Sequence, residues 1–434
     1  MIQQPQTLKG FRDFLPEEML LREKVAEIMK KVFQRFGYDP LENPALEYAE
    51  VLRGKAGEEE QLAYFFRDLG EREVGLRYDQ TVPLARFIAE HQNEITFPFK
   101  RYQLQKVWRA DKPQKGRYRE FYQFDFDIVG PATRMADAEV AQILYQTMRK
   151  LGFKNFRIRI NNRKILAAYA QYLGTPKEKM SSIYRAIDKL KKIGKEGVAR
   201  ELEKTELNPA AIENILTTIL RENSTNEEIL DKLKKEFANT EKAQKGLAEI
   251  EEVLALLKPS SVPPESFYFD PSMVRGLDYY TGIIFEVEVT EENIGSVGGG
   301  GRYDNLLGMF TNQEIAATGI GWGFERLIDI IKEKKLMTVP KTNSKVLVTI
   351  FSPDLTKKSL EVANYLRNNN INTEIYLEPG ENLRNQLSYA SDKKIPYAVI
   401  IGPKEQERNL VTIKNLKTRK QEKTELEKLP ELIN

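Results

Sequence analysis

Apolar residues near the N-terminus recur at intervals of three and four positions, the spacing of an amphipathic helix. They run from Leu21 to Phe36. Pro16 precedes them, where a proline fits the first turn, and Gly37 follows them, where a glycine commonly ends a helix. The pattern therefore predicts a helix from Pro16 to Gly37, followed by an extended segment that contains Pro44.

Residues 117–128 alternate strictly between two kinds of side chain, and residues 99–109 form a second strand-like stretch before them. A period of two indicates a strand whose two faces meet different surroundings. One face of the second strand holds Arg117, Arg119, Phe121, Gln123, Asp125 and Asp127. The other face holds Tyr118, Glu120, Tyr122, Phe124, Phe126 and Ile128. We predict an antiparallel pair with helices behind the aromatic face and a wet site before the polar face.

The first strand of this pair also carries polar residues at alternate positions. They are Arg101, Gln103, Gln105 and Arg109. Pairing the two polar faces would join guanidinium groups to carboxylates. Such a surface suits a ligand with phosphate at one end and an amine or imidazole at the other. The same pattern also fits a solvated sheet face with cross-strand salt bridges.

Glycines mark two later segments. Gly298–Gly301 is a run that predicts a glycine-rich turn, and it lacks the ending of a phosphate-binding Walker motif. Gly319, Gly321 and Gly323 alternate along a strand that runs into a helix, and Arg326 lies where that helix begins. Small residues on one strand face either leave room for a flat ligand or allow tight packing of a helix on the sheet.

Changes in composition and in hydrophobic periodicity along the chain predict its domains. Residues 167–264 are rich in Lys, Glu and Leu with helical periodicity, which indicates a helical insertion. Residues 334–344 are polar and resemble a linker, and residues 345–434 alternate between strand and helix patterns. The predicted fold class is α+β, with an antiparallel-sheet domain at 1–333 and a small α/β domain with a partly parallel sheet at 345–434.

Composition excludes several kinds of chemistry. The 434 residues include no cysteine and one histidine, so disulfides, zinc–thiolate sites and Ser-His-Asp triads are excluded. That histidine, His91, fits a surface or capping position near a helix end. Basic residues number 67 and acidic residues 64, so any polyanion site must come from local clustering. Apolar runs are too short for a membrane span, and the expected location is cytoplasmic.

Several motifs together resemble the histidyl-tRNA synthetase family, which belongs to the class II aminoacyl-tRNA synthetases. Pro44, Arg109 and Arg326 stand where the three class II motifs place a proline and two arginines. The segments that resemble the histidyl enzymes are 76–83 (LRYDQTVP), 116–123 (GRYREFYQ) and 275–282 (RGLDYYTG). The resemblance covers nearly the whole chain, and the combination is highly specific.

The resemblance implies a histidine–tRNA ligase. Residues 1–333 would form the class II catalytic domain, interrupted by the insertion, and residues 345–434 an anticodon-binding domain. The implied substrates are histidine, ATP with Mg²⁺, and tRNA(His). It also implies a homodimer, with the first helix and the Pro44 segment at the interface.

The resemblance also assigns residues to the nucleotide. Arg109 would hold the α-phosphate and Arg326 the γ-phosphate. Arg275 would bridge the substrate carboxylate and the α-phosphate, so Arg109 and Arg275 are the expected catalytic residues. Phe121 would stack on adenine, with Arg326 on the opposite face of the ring.

Histidine recognition is assigned in the same way. Asp79, Thr81 and Gln123 would bind the α-ammonium group, whereas Asp127 and Tyr280 would contact the imidazole ring. Tyr279 is a further expected histidine-binding residue. Asp79 and Asp127 stand where many bacterial members carry Glu, and Asp111 replaces a common Glu after Arg109. Hydrogen bonds to both ring nitrogens would reject analogues by ~10⁴-fold without editing.

Two alternatives remain at this point. One is the regulatory paralogue that assists ATP phosphoribosyltransferase, which shares the catalytic fold but usually lacks the C-terminal domain and an intact 275–282 motif. The other is a noncatalytic tRNA-binding module, against which Arg109, Arg275 and Arg326 argue.

Overall fold

The computed structural model describes residues 4–433 except 54–61, 115, 173–181, 184–185, 188–189, 206, 208, 210–211, 214–215, 218–223, 275–278, 291–294 and 311–312. It leaves out the side chains of 169–172, 190–192 and 307 as well. Arg275 therefore lies outside the described residues. The chain forms two compact units, one of residues 1–13 and 25–337 and one of residues 14–24 and 338–434.

Helices and strands follow each other along both units. The helices are α1 (Pro16–Arg35), α2 (Ala49–Leu52), α3 (Thr81–His91), α4 (Arg134–Lys150), α5 (Arg163–Tyr172), α6 (Leu190–Glu203), α7 (Asn226–Glu236), α8 (Glu241–Leu257), α9 (Phe324–Glu333), α10 (Thr356–Asn368), α11 (Leu383–Asp392), α12 (Pro403–Glu407) and α13 (Leu429–Ile433). The strands are β1 (Asp39–Pro40), β2 (Leu46–Tyr48), β3 (Tyr64–Arg67), β4 (Glu73–Leu76), β5 (Phe99–Trp108), β6 (Glu120–Gly130), β7 (Phe156–Asn162), β8 (Phe267–Phe269), β9 (Ile283–Val289), β10 (Ser296–Arg302), β11 (Ala316–Gly323), β12 (Val346–Val348), β13 (Thr373–Ile375), β14 (Tyr397–Ile400), β15 (Leu410–Asn415) and β16 (Gln421–Glu425).

The first unit is built on a sheet of eight strands in the order β1-β5-β6-β11-β10-β9-β7-β8. The six central strands pair antiparallel, and the two edge strands β1 and β8 pair parallel to their neighbours. Strands β2, β4 and β3 form a smaller antiparallel sheet. The large sheet carries the predicted strand pair β5–β6 at one side of β11.

The aromatic face of β6 is buried, as its alternation predicts. Phe124 and Phe126 are fully buried, and the ring of Phe33 on α1 packs 5.1 and 5.0 Å from theirs. The polar face of β6 is thereby turned to the opposite side of the sheet. A helix therefore lies behind the sheet, and the charged side chains lie in front of it.

The predicted glycine-rich turn at Gly298–Gly301 is wrong, because these residues lie within β10 between β9 and β11. At Gly301 φ is +153°, and a Cβ atom there would collide with the carbonyl oxygen of Ile283 on β9. Glycine is thus needed for close contact between strands rather than for a change of chain direction.

Within the described parts of residues 167–264, the end of α5 and the helices α6, α7 and α8 form the regular structure up to Leu257. The last of these helices, α8, packs against α4, α5 and β7. Asn162 at the end of β7 donates its amide hydrogens to the Gly246 carbonyl at 3.2 Å and to Glu249 at 2.8 Å. These bonds tie α8 to the large sheet.

The second unit contains a five-stranded sheet in the order β13-β12-β14-β15-β16. Strand β12 pairs parallel with β13 and β14, and a β15–β16 hairpin completes the sheet antiparallel. The partly parallel sheet is as predicted, whereas the hairpin is an addition that the prediction did not include. Within the described ranges of both units, every helix is too short or too polar to span a lipid bilayer.

Candidate active site

A cleft opens on the polar face of β6, between the first turns of α3 and α9 and the glycines of β10 and β11. Nine of the predicted site residues line it: Asp79, Thr81, Arg109, Phe121, Gln123, Asp127, Tyr279, Tyr280 and Arg326. Distant parts of the sequence are thus brought to one place. Arg275, the remaining predicted residue, lies outside the described residues.

Strand register explains how the polar side chains meet. Arg101 on β5 is paired with Asp127 on β6, and Gln103 and Gln105 are paired with Asp125 and Gln123. Residues paired across antiparallel strands project from the same face. The predicted polar surface is therefore continuous over both strands.

The neighbouring strand β11 contributes bare backbone to the same surface. Gly319 is paired with Asp127 and Gly321 with Asp125. A Cβ atom at position 319 would collide with the Asp127 carboxylate, and one at 321 would lie 2.8 Å from Gln123 Nε2. The alternating glycines hence make room for the polar side chains of β6.

One end of the cleft, here called the acidic end, is formed by Asp79, Asp125 and Asp127, each at most 3% exposed. The fully buried Arg101 lies 2.6 Å from Asp127 Oδ2, and the Tyr303 hydroxyl donates to Asp127 Oδ1 at 2.5 Å. Burial raises the pKa of Asp127, although Arg101 acts against this rise.

Asp125 lies between Gln123 and Asp127 on the same strand face. Burial raises the pKa of Asp125 well above its ordinary value, and the nearby charges of Asp127 and Asp79 add to the rise, whereas Arg101 opposes it. The Gln123 side chain donates to Asp125 Oδ2 at 2.9 Å. The acidic end therefore concentrates carboxyl groups, which a cationic ligand would neutralise.

Three tyrosines, Tyr279, Tyr280 and Tyr303, also line the acidic end of the cleft. The rings of Tyr279 and Tyr280 lie 4.8 Å apart, and the ring of Tyr303 lies 5.9 Å from that of Tyr279. Burial raises the pKa of Tyr279, so its hydroxyl stays protonated. The Asp79 carboxylate accepts the backbone N–H of Val82 at 3.2 Å, in the first turn of α3. Flat apolar walls with polar tips thus enclose the carboxyl groups.

The other end of the cleft, here called the basic end, is formed by Arg109, Phe121 and Arg326, all half-buried. Arg109 Nε donates to the Tyr78 carbonyl at 2.9 Å, and its guanidinium lies 5.6 Å from the centre of the Phe121 ring. Arg326 donates to the Ser296 carbonyl at 2.5 Å. Two guanidiniums held by backbone carbonyls beside an aromatic ring suit a nucleotide.

Sequence reasoning assigned no role to Arg101, Asp125 or Tyr303. Arg101 and Asp125 were detectable as members of the alternating polar faces. Tyr303 follows β10, and its contact with Asp127 depends on strand order, which local pattern does not show.

A metal site made by the protein alone is absent from the part of the chain that the structure describes, since no three Asp, Glu or His side chains there could share an ion. Mg²⁺ is commonly held by one or two carboxylates together with substrate phosphates.

A six-stranded antiparallel core, an arginine after the first hairpin strand and an arginine in the first turn of the following helix define a class II aminoacyl-tRNA synthetase. The family model for histidyl-tRNA synthetase matches residues 10–327, and that for the anticodon binding domain matches residues 345–434. The chain belongs to the histidyl-tRNA synthetase family.

Individual relatives agree with this assignment. The histidine–tRNA ligase of Clostridium tetani is 38% identical over 437 residues, covering 100% of this chain and 98% of the relative. That of Aeropyrum pernix is 42% identical over 414 residues, covering 94% and 93%. The crystal structure of histidyl-tRNA synthetase from Nostoc sp. PCC 7120 superposes with a TM-score of 0.89 at 32% identity, covering 100% and 99%. These full-length matches favour the ligase over the regulatory paralogue and the noncatalytic module.

Proposed function

We propose that this cleft joins histidine to ATP and transfers the histidyl group to tRNA(His). The observation that carries the proposal is the order of side chains along one strand face. Phe121 lies toward the basic end, Gln123 in the middle, and Asp127 at the acidic end. A nucleotide at one end and a cationic amino acid at the other would place a carboxylate beside a phosphate.

In the first step a histidine carboxylate oxygen attacks the α-phosphorus of ATP. A bond forms between that oxygen and phosphorus, and the bond to the leaving pyrophosphate breaks. The nucleophile is already ionised, so no general base is required. Both reactants are anions, so catalysis consists of alignment and charge neutralisation.

Arginines supply that neutralisation in the proposal. Arg109 binds the α-phosphate, Arg326 binds the γ-phosphate, and Arg275 bridges the substrate carboxylate and α-phosphate. Phe121 stacks on adenine. Support comes from the half-buried positions of Arg109 and Arg326 in the cleft. Mg²⁺ would enter with ATP and reduce the negative charge of its phosphates.

At the acidic end, Asp79, Thr81 and Gln123 bind the α-ammonium group. Asp127, Tyr279 and Tyr280 bind the imidazole ring. Asp127 is prepared for this role because Arg101 and Tyr303 fix its carboxylate. A wrong side chain would leave these buried polar groups unpaired, which is costly.

In the second step a hydroxyl of the terminal ribose of tRNA attacks the histidyl carbonyl, and AMP leaves. The match of residues 345–434 to the anticodon binding domain supports tRNA contacts by that unit. We also expect a cytoplasmic homodimer, which sedimentation of the purified protein would test.

Histidine-dependent exchange of pyrophosphate into ATP is the direct test of the first step. We expect exchange with histidine and none with the other amino acids. Transfer to tRNA(His), measured separately, tests the second step. A purified and folded protein that shows no exchange would contradict the proposal.

A further inference from the structure

Gln123, at the middle of the cleft, and Asp125, at its acidic end, form a side-chain pair. Gln123 Nε2 donates to Asp125 Oδ2 at 2.9 Å. An ionised carboxylate only accepts hydrogen bonds, so the amide must present its NH₂ group to Asp125. The carbonyl oxygen of the same amide is then directed away from Asp125. The pair therefore fixes which atom of Gln123 is offered to a ligand.

The sheet is shaped around this pair. Gly321 is paired with Asp125 on β11, and a Cβ atom at position 321 would lie 2.8 Å from Gln123 Nε2 and 3.0 Å from Asp125 Oδ1. Any other residue at 321 would displace one of the two side chains. Asp125 is 2% exposed and borders the cleft, and among the described residues nothing donates a hydrogen bond to its Oδ1. A buried acid of this kind is costly to keep unless it serves a ligand.

We infer that Asp125 is a positioning residue that turns the carbonyl oxygen of Gln123 toward the α-ammonium group of histidine. The inference rests on the proposed function and extends it to a residue outside the expected histidine contacts. An ammonium group donates three hydrogens and accepts none. A reversed Gln123 amide would meet it with NH₂, so the orientation of this amide decides whether Gln123 attracts or repels the substrate.

The test compares histidine with 3-(imidazol-4-yl)propanoate, which lacks only the α-amino group. In Asp125→Asn the amide orientation is no longer imposed. The KM for histidine in pyrophosphate exchange should rise roughly 10- to 150-fold, the range for a lost hydrogen bond to a charged group. The inhibition constant of the deaminated analogue and the KM for ATP should stay near their wild-type values. Equal weakening of histidine and the analogue would overturn the inference, because a general distortion of the cleft affects both.

The effect of Asp125→Asn is also measured in a Gln123→Ala variant, which lacks the amide that Asp125 would orient. If Asp125 acts through Gln123, adding Asp125→Asn to Gln123→Ala should raise the KM for histidine little further. A full additional rise in the double variant would overturn the inference in favour of direct contact between Asp125 and the ammonium group. Asp125→Ala, with its unfolding temperature measured, guards against failure to fold in the Asn variant. Absence of exchange in the wild type would instead defeat the proposed function.

Discussion

The two ends of the cleft differ in burial and in how their charges are held. At the acidic end Asp79, Asp125 and Asp127 are buried, and Asp127 is fixed by the ion pair with Arg101. At the basic end Arg109 and Arg326 are half-buried and held by backbone carbonyls. The acidic end therefore has its geometry set by side-chain partners, whereas at the basic end backbone carbonyls hold both guanidiniums beside the cleft.

This difference suits two tasks. Selecting one amino acid requires polar groups that are costly to leave unpaired, and such groups must be buried. Stabilising charge that develops at a phosphate requires cations that are already in place. Changes at the basic end should consequently lower the rate of the reaction, and changes at the acidic end should weaken histidine binding.

The largest effect is expected from Arg109→Ala. Loss of one fixed cation at the reacting phosphate should lower kcat for pyrophosphate exchange by ~10²–10³-fold, with little change in the KM for histidine. The control is Arg157→Ala, which removes an exposed arginine from β7 of the same sheet, where it lies 4.7 Å from the Tyr268 ring. A kcat within a few-fold of wild type in folded Arg109→Ala would contradict a role at the phosphate.

A somewhat smaller effect is expected from Asp127→Asn, at the other end. The KM for histidine should rise roughly 10- to 150-fold while the KM for ATP changes little. Glu120→Gln, which removes a charge from the opposite face of β6, is the control. Equal loss of affinity for ATP and histidine would show that the two ends are not separate.

A modest effect is expected from Phe121→Leu. The Phe121 ring lies at the basic end of the cleft. Leucine at this position remains apolar but cannot make the proposed stacking contact with adenine. Aromatic pairing contributes about 0.5–1.5 kcal/mol, so the KM for ATP should rise roughly 2- to 12-fold. Phe121→Tyr keeps an aromatic ring, so its KM for ATP should stay near that of the wild type. A rise in the KM for histidine instead would place Phe121 outside the nucleotide subsite.

The local sequence pattern was sufficient to predict much of the fold and many of the residues that line the cleft. Alternation along residues 117–128 predicted a strand that the structure has at Glu120–Gly130, with the expected two faces. It also predicted the polar residues that meet Arg101, Gln103 and Gln105 across the β5–β6 pair. The order of Phe121, Gln123 and Asp127 along the cleft could be predicted from the sequence, because alternate residues of a strand lie next to each other on one face.

Other features depend on which strands become adjacent, which local pattern does not specify. The run Gly298–Gly301 predicted a turn, because glycine is common in turns, but crowding between β9 and β11 is what requires it. The Tyr303–Asp127 hydrogen bond and the β15–β16 hairpin likewise arise from tertiary contacts. Resemblance to the family supplied the expected histidine contacts, whereas the ion pair by which Arg101 fixes Asp127 became visible only from the structure.

The smallest expected effect is a pH-dependent change in protein stability that depends on Asp125 at the acidic end. Burial raises the pKa of Asp125, with Asp127 and Asp79 adding to the rise and Arg101 opposing it. An acid whose pKa is higher in the folded state binds its proton more tightly there than in the unfolded chain. Wild-type stability is therefore lost as pH rises from the ordinary carboxyl value of about 3.9 toward the raised value. Asp125→Asn cannot ionise and should not share this loss.

The ligand-free Asp125→Asn protein should thus unfold at a higher temperature than wild type at neutral pH. The difference should shrink as pH falls through the same window, because Asp125 then carries its proton in both states. Thermal unfolding of the two proteins across a pH series measures this difference. A lower unfolding temperature for Asp125→Asn at neutral pH would show that ionised Asp125 stabilises the empty cleft through Arg101. If Asp125→Asn is more stable than wild type but binds histidine more weakly, the Asp125 charge lowers stability and is needed for ligand binding.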